Sequence, residues 1–209
     1  MKNIVITGAS SGIGQAIYNH YKQGLSFGEY DKVIGVSRRG PDKYIDISAG
    51  IPSDFTPHEI VALINCAGIM PLPEEHPAHI FNVNFWGATD MIAQLLPHFV
   101  DGCCVINIAS VSGLRGDAEV PFYAASKAAL ISITQSYAKR YAPRYRFNCI
   151  SPGYYKTNLV PGETPEELIK SIPMKYEEDP ALIVPIVRMI LNTKYMTGAN
   201  IVVDGGVSL

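Results

Sequence analysis

The chain has 209 residues, 47% of them hydrophobic and 17% charged, with a formal net charge of −2 at pH 7. That length fits one domain with enough apolar side chain to cover both faces of a sheet, and the lack of a basic excess argues against nucleic acid as a partner. No apolar run approaches the ~20 residues of a membrane span, and MKNIVITG enters strand-like sequence at once, leaving no room for a signal peptide, so the expected location is cytoplasmic.

In chain order, apolar runs at 3–7, 32–37, 43–47, 61–66, 103–109, 146–150 and 200–204 read as strands. Helical patterns fall at 13–23, 76–99, 122–142, 164–172 and 179–192. Strands separated by helices pair in parallel, so the fold class is α/β. Residues 1–209 form a single Rossmann-type domain, a doubly wound parallel sheet of about seven strands with helices on both faces. Between Ile47 and Val61 the sequence has two prolines and little periodicity, so the connection there is short or reduced to a turn. Cys66, Cys103, Cys104 and Cys149 form no Cys-x-x-Cys pair and read as buried, reduced thiols. The five histidines show no metal spacing: His76 and His79 are three apart, but Pro77 lies between them and no third ligand stands near, so no metal is expected.

The strand Ile4–Thr7 runs into Gly8, Gly12 and Gly14 and then into a helix. Glycines let the backbone turn tightly and approach a pyrophosphate, and the helix N-terminus beyond them offers free N–H groups and a positive dipole end. The spacing is Gly-x-x-x-Gly-x-Gly, not the common Gly-x-Gly-x-x-Gly. An ordinary glycine-rich turn is the bland alternative; the order strand, glycines, helix weighs against it. Farther on, Tyr123 and Lys127 stand four apart on a helix and share one face. Such a pair is most often a solvated surface pair. An ammonium near a phenol, however, favours the phenolate and lowers the Tyr pKa from about 10, and a phenol tuned that way exchanges protons with a carbonyl oxygen at neutral pH. Ser110 ends a strand thirteen residues before that Tyr. In an α/β fold, strand end, loop and helix start meet at one cleft.

The chain resembles the short-chain dehydrogenase/reductase family over nearly its whole length. The resemblance is carried by Thr7-Gly8-x-x-x-Gly12-x-Gly14, Asn65-Cys66-Ala67-Gly68, Asn84, the set Ser110, Tyr123 and Lys127, Ser151-Pro152-Gly153 with Thr157, and TGANIVVDGG at 197–206. It implies the strand order 3-2-1-4-5-6-7. It implies a catalytic set in which Tyr123 donates a proton to the developing alkoxide and Lys127 lowers the Tyr pKa and binds the nicotinamide ribose. Ser110 would hydrogen-bond the carbonyl oxygen, and Asn84 would hold a water linking Lys127 to solvent. Read from the residues alone, Asn84 is equally a helix-interior amide bonding to backbone. Ser112 is a rival to Ser110, and its other role is a turn before Gly113. Gly8, Ser10, Ser11, Gly12, Ile13 and Gly14 form the cofactor loop, while Asn65, Ala67 and Gly68 are candidates for the cofactor wall. Pro152, Gly153 and Thr157 lie by the nicotinamide. Cys66 departs from the family's Asn, which ties neighbouring strands together, and a thiol hydrogen-bonds weakly.

The acidic residue that holds the ribose hydroxyls in NAD enzymes would end the second strand. Here Ser37 takes that place, followed by Arg38 and Arg39. Arginine grips a 2′-phosphate with paired charge-assisted hydrogen bonds, so the expected cofactor is NADP(H). Asp46 and Ile47 resemble the pair that meets the adenine, though Asp46 is equally a turn or cap residue. The substrate pocket is expected from 69–73, 114–122 and 154–175, the last a mobile lid. Leu114, Val120, Tyr154, Tyr155, Leu159 and Met174 suggest a largely apolar lining with no strong ionic clamp, and Arg115 reads as a solvent-facing loop charge, with contact to an anionic substrate tail as the alternative. The expected function is hydride transfer between NADP(H) and a small carbonyl or secondary alcohol. The alternatives are a non-catalytic nucleotide-binding sensor or scaffold of the same fold, an NAD-preferring alcohol dehydrogenase, and a sugar-nucleotide epimerase or dehydratase. A 3-oxoacyl reductase served by an acyl carrier protein stays open within the first. The resemblance further implies a homodimer or homotetramer through the helices at 76–99 and 122–142 and the C-terminal strand.

Overall fold

The computed structural model describes residues 1–23, 30–70, 76–159, 162 and 164–209. Positions 71–73 of the first expected pocket segment, and 160, 161 and 163 of the last, lie outside the described residues. Among the described residues the strands are β1 (Asn3–Thr7), β2 (Lys32–Ser37), β3 (Lys43–Tyr44), β4 (Ile60–Asn65), β5 (Phe99–Ile108), β6 (Arg146–Pro152) and β7 (Asn200–Val203). They form one parallel sheet in the order β3-β2-β1-β4-β5-β6-β7, as the resemblance implied.

Side chains alternate across each strand because successive Cβ atoms point to opposite faces. Ile4 and Ile6 of β1, Ala62 and Ile64 of β4, and Cys104, Ile106 and Ile108 of β5 enter one core. The helices α1 (Gly12–Lys22) and α7 (Val184–Asn192) cover it with Ile17, Tyr18, Tyr21, Val187 and Ile190. Val5, Leu63, Cys103, Val105 and Phe147 enter the core on the opposite face, where Met91, Ile92 and Leu95 of α3 (Gly87–Leu95) lie. Burial on both faces is why these strands read as continuous apolar runs. Cys103, Cys104 and Cys149 are buried free thiols within these strands.

The expected helix 76–99 is not one helix. It comprises α2 (Pro77–Phe81), a π-turn at Asn82–Trp86, α3, and a 3-10 turn at Leu96–His98, after which β5 begins at Phe99. His76 caps α2: its Nδ1 accepts the Ala78 N–H at 3.2 Å. The third strand stops at Tyr44, because Asp46 turns the chain by accepting from the Ser48 N–H at 3.0 Å and the Ser48 hydroxyl at 2.7 Å, capping a 3-10 turn at Ile47–Ala49. That turn is all the helix in the stretch from Ile47 to β4. The short α4 (Ser112–Arg115) was not expected, while α5 (Pro121–Tyr141) and α6 (Glu166–Ser171) lie within the expected spans or one residue outside them.

Arg146, 9% exposed, starts β6 and closes the far end of α7. Its guanidinium donates to the carbonyls of Ile190, Thr193 and Met196 at 3.0, 3.2 and 3.0 Å and to that of Leu191 at 2.9 Å. A helix ends with unpaired carbonyls and a negative dipole end, and the fixed fork of an arginine satisfies both. Arg146→Met keeps the stem but orphans these acceptors. Urea unfolding should show a loss of about 2–4 kcal/mol, with Tm lowered in step; an unchanged midpoint would refute this role for Arg146.

Candidate active site

A cleft of about 870 Å3 opens at the carboxyl ends of the strands. At one end β1 delivers Gly8, and the loop Ser10–Ser11 leads into α1. Gly8 has φ +68°, and a Cβ there would stand 2.7 Å from the Ala67 backbone N. A Cβ on Gly14 would stand 2.3 Å from the Gly8 carbonyl oxygen, so only glycine lets the first turn of α1 pack on the strand end. Ser11 is the N-cap of α1, yet no side chain caps the helix and no acid sits in its first turn. The N–H groups and positive dipole end there therefore face the cleft uncompensated, as a pyrophosphate requires. Thr7 Oγ1 accepts the N–H groups of both Cys66 and Ala67 at 3.1 Å, tying the cofactor loop to the end of β4.

Ser37, Arg38, Arg39, Asp46 and Ile47 line this same end. Ser37 is buried, with Oγ accepting the Arg39 N–H at 3.3 Å. Both guanidiniums are exposed at the strand end. The Asp46 carboxyl is held below its ordinary value, chiefly by the Ser48 hydroxyl and also by the charges of Arg38 and His79. His79 lines the cleft as well, and the sequence reading did not place it there.

Ala67 and Gly68 form the wall as expected, but Asn65 does not line the cleft. Its Nδ2 donates to Asn107 Oδ1 at 2.9 Å, and Asn107 Nδ2 donates to Thr134 Oγ1 at 2.8 Å. The tie between β4, β5 and α5 thus rests on Asn65, one residue before Cys66. The thiol at 66 lines the cleft, with burial pushing it up to about 12 and so keeping it protonated.

Asn84 sits in the π-turn, 1% exposed. Its Oδ1 accepts the Ile69 N–H at 2.8 Å, and its Nδ2 donates to the Ile69 carbonyl at 2.9 Å and to Ser126 Oγ at 3.1 Å. Ser126 Oγ in turn donates to the Tyr123 carbonyl at 2.7 Å. The amide thus bonds to backbone, the plainer of its two readings, and joins the wall of the cleft to the helix that carries Tyr123. It also approaches Lys127: a Cβ on Gly68 would lie 3.2 Å from Lys127 Nζ and 3.3 Å from Asn84 Oδ1, so the missing side chain lets both groups converge.

Ser110, Tyr123 and Lys127 all line the cleft, beside Pro152, Gly153 and Thr157. The Ser112 N–H donates to Ser110 Oγ at 3.2 Å, while Ser112 Oγ donates to Asp117 Oδ2 at 3.0 Å. Ser110 is therefore the hydroxyl facing the phenol, and Ser112 supports it. Burial pushes the Tyr123 phenol up to about 12; a hydrogen bond from Ser110 opposes this and the Asp117 carboxylate adds to it. Lys127 Nζ donates to the Ile108 carbonyl at 3.0 Å and stands 5.7 Å from the phenol ring centroid. Burial pulls the Lys127 ammonium down to about 8. Burial thus disfavours the charged form of both groups.

The segments expected to form the substrate pocket give the cleft a more polar lining than expected. Tyr154, Tyr155 and Leu159 line it, but so do Asp117, Asn158, Thr164 and Glu177, whereas Leu114, Val120 and Met174 do not. Arg115 is exposed, as expected, and donates to the Val207 carbonyl at 3.1 Å. Among the described residues no cluster of His, Cys, Asp or Glu has the makings of a metal site, and no helix is long and apolar enough to cross a membrane.

A family model described as Enoyl-(Acyl carrier protein) reductase matches residues 53–208. An uncharacterized short-chain type dehydrogenase/reductase of Sinorhizobium fredii is 30% identical over 97% of this chain, which spans 43% of that protein's length. A 3-oxoacyl-(acyl-carrier-protein) reductase of Thermotoga maritima is 28% identical over 98% of this chain and 97% of its own length. The solved structure of 4-hydroxyisoleucine dehydrogenase complexed with NADH matches with a TM-score of 0.81 at 27% identity, covering 100% of this chain and 99% of that one.

The folded chain holds Lys127 near 8 against an ordinary value of 10.5. Between about 8 and 10.5 the unfolded chain keeps a proton that the folded chain has lost, so this residue's contribution to stability rises with pH across that window and its penalty is fully present below it. Wild type measured against Lys127→Met by urea unfolding should gain on the order of 3 kcal/mol from pH 7.5 to 10.5. A flat difference would mean that the ammonium is not desolvated.

Proposed function

The chain belongs to the short-chain dehydrogenase/reductase family, and on that premise we propose that it is an NADP(H)-dependent oxidoreductase acting between a carbonyl and the corresponding secondary alcohol. One observation carries most weight: Ser110, Tyr123 and Lys127 meet in the same cleft that runs back over the uncapped N-terminus of α1. The nicotinamide, held against Pro152, Gly153 and Thr157, would supply or accept the hydride. Ser110 and Tyr123 are the donors for the substrate oxygen, where negative charge develops on reduction. The neutral phenol gives up its proton there, and Lys127, against Ile108 and Gly68, is placed to return one. Asn84 fixes the Ile69 backbone and, through Ser126, the first turn of α5.

Arg38 and Arg39, with Ser37 in the place of an acid, favour the 2′-phosphate of NADP(H). The Asp46 carboxylate near Arg38, and the NADH held by the similar 4-hydroxyisoleucine dehydrogenase, favour the alternative, an NAD-preferring enzyme. Fluorescence titration decides: Arg38→Glu should weaken NADPH at least about tenfold and leave NADH within a factor of about two. NADH preference in the wild type would overturn the NADP(H) assignment, and failure to bind either nucleotide would overturn the enzymatic one. Tyr123→Phe should cut kcat by about 100-fold or more while sparing nucleotide binding; a variant that binds nucleotide and turns over normally would favour a sensor or a different proton donor.

The protein is further proposed to work as a homodimer or homotetramer in the cytoplasm. Trp86 and Phe122, on the π-turn and at the start of α5, are 53% and 50% exposed, and Val202 of β7 and Leu209 are exposed too. Light scattering should give a multiple of 22.8 kDa; a monomer would refute this.

A further inference from the structure

We propose that the cleft selects a carbonyl compound, or its alcohol, that carries hydroxyl groups and no negative charge, with Asp117 and Glu177 as the residues that set this preference. The proposal rests on the oxidoreductase reading above and deepens it. Charge in the cleft is divided by place. Its described basic side chains are Arg38 and Arg39, at the carboxyl end of β2, His79, which acts on Asp46 as Arg38 does, and Lys127, which is buried and donates to the Ile108 carbonyl. Among the other described lining residues the acids are Asp46, which is engaged by Ser48, and the pair Asp117 and Glu177.

Neither carboxylate is neutralised by a cation among the described residues. Arg115 donates to the Val207 carbonyl and does not line the cleft. Lys175 donates to the Lys170 carbonyl. Both acids are half-buried and held in place. Asp117 accepts from the Glu119 N–H through Oδ1 at 3.2 Å and from the Ser112 hydroxyl through Oδ2 at 3.0 Å. Ser112 in turn gives its N–H to the hydroxyl oxygen of Ser110. Asp117 is therefore one residue removed from the serine that meets the substrate oxygen. Glu177 accepts from the Thr164 hydroxyl, and Thr164 itself faces the cleft.

An ionised carboxylate only accepts hydrogen bonds and has about four lone-pair directions. Asp117 and Glu177 retain acceptor capacity beyond these bonds, and a desolvated acceptor left unmatched is costly. Substrate hydroxyls supply the matching donors, and Asn158 adds an amide of both kinds beside them. A substrate carboxylate or phosphate would instead add a like charge where no cation compensates, and at the effective dielectric of a protein surface that repulsion is worth about a factor of ten or more in binding. Leu159, Met70 and the rings of Tyr154 and Tyr155 supply apolar surface for the carbon skeleton.

Three four-carbon ketones separate the possibilities: L-erythrulose, which is neutral and hydroxylated, 2-butanone, which lacks donors, and acetoacetate, which is anionic. With NADPH in excess, kcat/KM for erythrulose should exceed that for each of the others by at least about tenfold. Glu177→Gln and Asp117→Asn should each shrink the erythrulose-to-acetoacetate ratio severalfold. The ratio is read, not the rate, because Asp117→Asn also touches Ser112; Glu177→Gln has no such connection. Acetoacetate used as well as erythrulose, 2-butanone preferred, a ratio unchanged in both variants, or no turnover of any of the three while other carbonyls react would overturn this proposal and leave the oxidoreductase reading standing. Loss of that underlying reading has a different signature: no nicotinamide binding, and no wild-type turnover across a broad panel of aldehydes and ketones.

Discussion

A parallel sheet covered on both faces has almost no water along its length, so polar chemistry is confined to the ends of its strands. Nearly every functional feature here follows from that constraint. The carboxyl ends of β1, β4, β5 and β6 deliver Gly8, Ala67, Ser110 and Pro152 to one cleft. Where polar side chains do enter the interior, they are consumed in pairing. Asn65, Asn107 and Thr134 form a chain across two strands and onto α5, and Thr7 clamps the ends of β1 and β4 together. These ties fix the spacing between the cofactor loop and the helix bearing Tyr123 more rigidly than apolar packing alone would, because each has a direction as well as a distance.

The site gives up stability for readiness. Tyr123 and Lys127 are both buried, and burial disfavours the charged form of each, raising one group and lowering the other. A phenol that keeps its proton and an ammonium that parts with one more readily make a donor with a source behind it. An apolar residue at 127 would leave less to desolvate. That such a costly group lies against the Ile108 carbonyl and the bare backbone of Gly68 fits a residue kept for chemistry, not for packing.

The sheet was legible in the sequence because buried parallel strands appear as uninterrupted apolar runs, and the nucleotide end was legible because turns that approach a phosphate need glycine at fixed offsets. What escaped was set by three-dimensional environment. Nothing in NVNFW marks a π-turn, since its bonding differs from that of an α-helix by one residue and not by composition. The spacing of Tyr123 and Lys127 correctly put them on one face, yet the direction of the phenol's shift depends on how deeply the pair is buried and on a carbonyl from β5 that takes the ammonium. Asn65 ends β4 and Cys66 follows it, so which of them points into the sheet's polar tie is a matter of orientation that a motif match alone does not settle. Asp117 and Glu177 lie outside the regular strands and helices, where residue type carries no periodic signal of which way a side chain faces.

The π-turn also separates what the fold needs from what the site needs. It holds one residue more than an α-helix would, and Asn84 is among the residues it displaces. Losing a single residue between Asn82 and Trp86 would let the coil tighten into ordinary α-helix with its backbone ladder intact. The side chain at 84 would then swing by about 100° around the helix axis, releasing Ile69 from its clamp. In this segment, a change of length that the scaffold absorbs would be read out as misalignment of the cleft wall, so chain length itself acts there as a setting of the active site.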